Sequence, residues 1–323
     1  MKKMLVAVAM SIAALGAQTP SHAQTNDYPD RPIRMLLPFG AGGGGDTLGR
    51  LLAERMGKRL GQPIIVDNKP GAGGTLGAMV ASQQPPDGYS ISIGGMTTHT
   101  LAPSIYAKLP YDPIKSFVTV GRIGTSAILM VATNDFPANN LKEFIALAKE
   151  KPLSIQYASW GIGSTGHFCA EVLAQKAGIK LMHVPYKGVP PIITDMLGGH
   201  IKVAFVDMAS GSPFVQEGKI KAIAACTQRS PSLPKVASYK EQGVDFDHTL
   251  SWVMYLPAGT PKPITEKISN ALQASLAEPD VVTKLLAVGI TPDFLAGDAQ
   301  AAANALDIPI WRQIAKDANI TPE

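Results

Sequence analysis

Cysteine is almost missing from this 323-residue chain, which carries two, Cys169 and Cys226. Two cysteines at that separation make no metal site, and no H-E-x-x-H or paired-carboxylate spacing supplies one instead. A G-x-S-x-G nucleophile elbow is also missing, because Ile162 stands where its first glycine belongs. Ser164, Asp207 and His248 therefore follow the chain order of an α/β-hydrolase triad without the turn that exposes the nucleophile. Neither sign of charge is in excess: the formal net charge is +4. That is too little for an electrostatic footprint on nucleic acid or anionic lipid. Beyond the first residues there is no apolar run long enough to cross a bilayer.

That first run sets the compartment. Lys2 and Lys3 precede an apolar stretch over 4–17, and small residues stand at Ser21 and Ala23. This is the layout of a secretory signal peptide over 1–23, with cleavage expected after Ala23. Its removal leaves 300 residues and a net charge of about +2. A chain of that size usually divides into two domains, since a single core stops growing near it. Export permits a disulfide. However, Cys169 falls in a helical pattern with Phe168, Val172 and Leu173, and Cys226 closes an apolar run over 220–226. Two buried free thiols are the expectation.

Strand-like and helix-like segments alternate from Ile33 onward. Residues 33–38 read as a strand, and Leu48, Leu52, Met56 and Leu60 recur at spacings of four on one helix face. Strands at 64–66 and 89–93 complete a βαβαβ rhythm, which implies a parallel sheet covered by helices. The pattern restarts with strands at 128–132, 155–158, 181–184, 203–206 and 220–225, then an apolar run at 251–256, and 263–317 reads as mostly helical. A glycine loop follows a strand in both halves, at 40–45 and at 161–163.

The first loop invites a second reading. Gly40-x-Gly42-x-x-Gly45 lies between a strand and a helix, and Asp67 follows 22 residues later at a strand end. That satisfies the dinucleotide fingerprint and makes a nucleotide-cofactor-binding oxidoreductase the alternative function. The physics is common to both readings: glycines turn N–H groups toward one point, and the helix behind adds the positive end of its dipole.

Several segments, in order, carry a resemblance. They include Tyr28-Pro29-Asp30-Arg31-Pro32-Ile33, Asn68-Lys69-Pro70-Gly71-Ala72-Gly73-Gly74, Pro86-Asp87-Gly88-Tyr89, Val184-Pro185-Tyr186-Lys187-Gly188 and Pro257-Ala258-Gly259-Thr260-Pro261. The series resembles the Bug family of solute receptors that serve tripartite tricarboxylate transporters. The resemblance implies an α/β, two-domain Venus-flytrap fold with a ligand cleft between lobes. The chain would cross near Thr125 and Thr249, giving one domain of 24–125 plus 250–323 and another of 126–249. It implies a monomeric periplasmic receptor that binds a small carboxylate, dicarboxylate or aromatic acid, and that partners integral membrane transporter subunits. It implies no cofactor, no metal and no catalysis.

Carried over residue by residue, the resemblance points to Phe39, Gly40, Ala41, Gly42, Gly43, Ser159, Gly161, Gly163, Ser164 and Thr165 as ligand-binding. The residues themselves add further candidates. Asp46 is an expected N-cap of the first helix, and Ser164 of its counterpart, with His167 in the same first turn. Thr97 and Asp207 follow strands, where open α/β sheets bind their ligands. Hydroxyls of Ser164 and Thr97 are expected to set specificity. Trp160, beside the second loop, suits a flat carboxylate.

Overall fold

The computed structural model describes residues 28–246, 248, 250–317 and 320, so the export signal expected over 1–23 lies outside the described residues. Strand β1 (Ile33–Leu37) leads through the first glycine loop into α1 (Gly44–Leu60), whose Leu48, Leu52, Met56 and Leu60 are buried. Strand β2 (Ile64–Asn68), helix α2 (Thr75–Ser82) and strand β3 (Ser90–Gly95) follow, and β2 and β3 both pair with β1 in parallel. A π-turn over Met96–Leu101 runs into the short α3 (Ala102–Ile105).

Strand β4 (Phe117–Ser126) then hands the chain directly to β5 (Ile128–Ala132) in a second sheet. That sheet is completed by α4 (Leu141–Glu150), β6 (Gln156–Ser159), α5 (Thr165–Ala177), β7 (Met182–Pro185), α6 (Val189–Leu197), β8 (Val203–Asp207), α7 (Met208–Gln216) and β9 (Lys221–Ala225). The chain returns with β10 (Leu250–Pro257), α8 (Lys262–Leu276), α9 (Pro279–Ala287), β11 (Ile290–Ala296) and α10 (Gly297–Asp317). Strand order is β11-β4-β10-β3-β1-β2 in one sheet and β7-β6-β8-β5-β9 in the other. Each sheet with its covering helices is called a lobe below.

The class is α/β, but both sheets are mixed rather than purely parallel. Strand β10 runs antiparallel to β3 and β4, and β5 runs antiparallel to β8 and β9. Two strands have weak sequence signals. The β4 alternation is broken by Gly121 and Gly124, and β11 contains Pro292 inside a stretch that reads as helical. A proline is tolerated there because β11 is an edge strand, and its register shifts between Pro292 and Leu295.

The cysteine expectation is overturned. Cys169 in α5 and Cys226, just after β9, form a disulfide with Cα atoms 6.0 Å apart. Both side chains are buried, as a free-thiol reading also requires, so burial in the sequence pattern could not separate the two outcomes.

Candidate functional site

A cleft of about 710 Å³, its mouth included, lies between the two sheets. It forms because β1, β3 and β8 all end toward it and each gives way to a turn or helix there. Among the described residues, five helices begin at its wall. Gly43 and Gly44 open α1, Gly74 caps α2, Thr165 is the first residue of α5, Gly188 caps α6, and Asp207 caps α7. Each helix start presents N–H groups and a partial positive charge of about half a unit. Among the described lining residues the only charged side chains are the exposed Lys187 and the buried Asp207. The remaining wall is largely apolar, with Phe39, Met96, Trp160, Val189, Pro190 and Trp252.

The lobes are shut on each other. The Gly44 N–H donates to Ser210 Oγ at 2.7 Å, and the hydroxyls of Thr97 and Thr165 meet at 2.8 Å. Tyr106 Oη reaches the carbonyls of both Ala72 and Ile162 at 3.0 Å. Gly44 is a necessary glycine here, because a Cβ at that position would collide with Asp207 and Ala209 of the other lobe. Asp207 caps α7 by accepting from the Ser210 N–H at 2.9 Å, which holds Ser210 in place for its contact with Gly44. Burial pushes the Asp207 carboxyl up, against the hydrogen bonds from Ser210.

Both glycine loops are braced from behind. Asp46 is not the N-cap of α1; that position is Gly43, and Asp46 lies inside the first turn. Its carboxylate reaches back to the Gly42 N–H (2.9 Å) and also accepts from Arg50 (2.9 Å) and Asn68 (3.0 Å). Burial alone would raise the Asp46 carboxyl, but these donors outweigh it and hold it below its ordinary value. Ser164 is the N-cap of α5, accepting from the His167 N–H at 3.2 Å, and its hydroxyl donates to Ser159. Ser164 is fully buried behind the wall, so its hydroxyl braces the loop where it was expected to meet ligand. Ser159 also meets His183 Nε2 at 2.7 Å, while the Gly163 N–H donates to His167 Nδ1 at 3.2 Å. His167 and His183 stack at 4.2 Å.

These histidines give the second loop an acid limit. Burial pushes His167 down to about 4, and burial followed by the neighbouring His167 pushes His183 down to about 3, from 6.5. Glu171, 4.0 Å from His167, and the Tyr157 ring stacked on His183 complete the surroundings. For a base whose folded value is depressed, the unfolded chain binds more protons between the two values, so stability is complete above pH 6.5 and is lost as pH falls toward 4. Thermal melts from pH 8 to pH 4 are expected to fall through that window, and to fall less in His167→Gln. Parallel wild-type and variant curves would refute this.

Comparison with known proteins decides the family. Residues 48–317 match the family model described as the tripartite tricarboxylate transporter family receptor. The chain belongs to that family. The solved periplasmic binding protein BugD is 34% identical, with a TM-score of 0.87 over 92% of this chain and 100% of its own. An R. palustris protein solved with adipate is 28% identical (TM-score 0.88, 92% and 100% covered). MatC from Rhodopseudomonas palustris, with bound malate, is 30% identical (TM-score 0.84, 89% and 99% covered).

In this receptor the expected site residues divide into two sets. Phe39, Gly40, Gly43, Thr97, Trp160, Thr165 and Asp207 line the cleft. Ala41, Gly42, Asp46, Ser159, Gly161, Gly163, Ser164 and His167 are not among its lining residues. Gly42 serves the turn itself, with φ at +79°, and directs its amide to Asp46. Asp67, the acid of the dinucleotide fingerprint, is paired with Arg34 and with Lys69. His248 lies beside Phe246 and Trp311, in a ring cluster.

Sequence reasoning missed Gly44, Ser210, Pro190 and Trp252. A Ser-Gly-Ser stretch at 210–212, starting three residues after the strand ending in Asp207, was the available signal for Ser210. Gly44 lay within the glycine loop at 40–45, whereas Pro190 and Trp252 are brought to the cleft only by tertiary folding.

Proposed function

We propose that this receptor is exported, loses residues 1–23 after Ala23, and as a monomer captures one small carboxylate between its lobes without altering it chemically. The lobes follow the division of 24–125 plus 250–323 against 126–249. The shut form delivers the acid to integral membrane subunits of a tripartite tricarboxylate-type transporter. One observation carries the choice of ligand: among the described residues, five helix N-termini converge on a cleft with a single cationic side chain at its edge. Such a site favours an anion held by main-chain dipoles. The apolar wall favours a carbon skeleton, extended or flat, attached to that anion. The adipate and malate held by its relatives belong to the same chemical class. The disulfide agrees with an oxidising compartment.

Thermal-shift screening against mono-, di- and tricarboxylates, aromatic acids and NADH tests this. Ligand at 100 times its Kd stabilises the folded state by about 2.7 kcal/mol, a shift of roughly 4 °C for a chain of this size. An acid should give that shift and NADH should not. A shift with NADH alone would replace the proposal with the oxidoreductase reading.

A further inference from the structure

Trp252 lies on β10, opposite Gly95 of β3 and Gly124 of β4, and it lines the cleft. Its side chain is buried, with 4% of the residue exposed, and the Phe39 ring packs on it edge-to-face at 5.3 Å. Among the described residues the indole Nε1–H has no hydrogen-bond partner. Seven buried side-chain polar atoms among the described residues share that condition, on Arg55, His99, Ser104, Thr133, Ser212, Trp252 and Gln300. Of those seven residues, Trp252 alone lines the cleft. A desolvated donor without an acceptor is unfavourable, and it is removed from that state when a ligand oxygen meets it. Indole N–H is a donor only, so the group that meets it must be an acceptor.

We propose that Trp252 is a specificity-determining residue whose Nε1–H donates to a second oxygen of the bound acid, separate from the carboxylate held at the helix N-termini. This rests on the carboxylate reading above. The receptor then selects an acid with two separated acceptor groups over a mono-acid of the same length, because an apolar end leaves the indole donor unpaired. The logic is that of sites built to bond a polar group, which reject analogues lacking it far more strongly than apolar pockets reject a size change.

The test is calorimetric titration of wild type and Trp252→Phe with three matched pairs: adipate and hexanoate, malate and 3-hydroxybutyrate, terephthalate and 4-methylbenzoate. Wild type is expected to bind the diacid of its best pair at least tenfold more tightly than the mono-acid, and Trp252→Phe to lose most of that ratio by weakening the diacid alone. Equal affinities within every pair in wild type, or an undiminished ratio in Trp252→Phe, overturns the proposal and leaves the carboxylate reading intact. No binding of any acid to wild type removes both. Should Trp252→Phe not fold, the wild-type protein still decides, because it has three tryptophans. With ¹⁵N-labelled indoles, the Trp252 signal is the one that survives in both Trp160→Phe and Trp311→Phe. It should move downfield with the diacid and not with its mono-acid partner; the same position with either contradicts the bond.

Discussion

Replacing Gly44 with alanine is expected to abolish tight ligand binding while leaving the fold intact. Gly44 is the first residue of α1 and its φ lies outside the left-handed region, so alanine fits the local backbone and improves helix propensity. The obstacle lies across the cleft, where the new methyl would collide with Asp207 and Ala209. No flexible side-chain end can swing aside to relieve this. The contacts are a capped carboxylate, a Cβ and the nearby Ser210 amide 3.1 Å away. The variant relieves the overlap by opening the lobes, which also breaks the bond from Gly44 to Ser210. An acid then meets one lobe. Losing even two hydrogen bonds to a charged group at roughly 1.5 kcal/mol each weakens binding about 100-fold. The unliganded melting temperature should stay at or slightly above the wild-type value, so the loss cannot be assigned to unfolding. Wild-type affinity in Gly44→Ala would show that capture does not require the shut lobes.

Removing the disulfide is expected to have the opposite profile, a large loss of stability with little loss of affinity. The bridge from Cys169 to Cys226 spans 57 positions. Closing a loop of that length in the unfolded chain corresponds to about 4 kcal/mol by the chain-entropy relation. For a chain this size that lowers the melting temperature by roughly 6 °C. The bridge ties α5, whose first turn carries Thr165 into the cleft, to the end of β9. It does not itself line the cleft. Cys169→Ala/Cys226→Ala, or wild type under strong reductant, should therefore melt early and still bind within a few-fold of the oxidised protein. A thiol titration that finds two free groups in the denatured, unreduced protein would disprove the bridge.

What could be read from sequence was what neighbouring residues determine. Alternation and spacing of four placed β1, α1 and most of the second sheet, because those patterns follow from which side chains each element buries. Ser164 was legible as a helix cap because its partner, His167, is three residues away. Asp46 was misplaced because the helix starts three residues earlier than its first good capping side chain, on a glycine that offers the backbone no side-chain oxygen. The cleft itself was half legible. Its glycine loops are local, but Gly44 and Ser210 stand 166 positions apart and Thr97 and Thr165 stand 68 apart. Pairings at such separations are made where the turns and helix starts that follow strands of the two sheets meet, and no periodicity encodes them. The Cys169–Cys226 bridge eluded the sequence for the same reason.

The most direct measurement is a crystal structure of the receptor grown with the acid that gives the largest thermal shift. The expected result is an acid between the lobes, its carboxylate oxygens about 3 Å from main-chain N–H groups in the first turns of the converging helices. An acid bound outside that cleft, or one gripped by Lys187 with the helix N-termini open to solvent, would contradict the mechanism of capture.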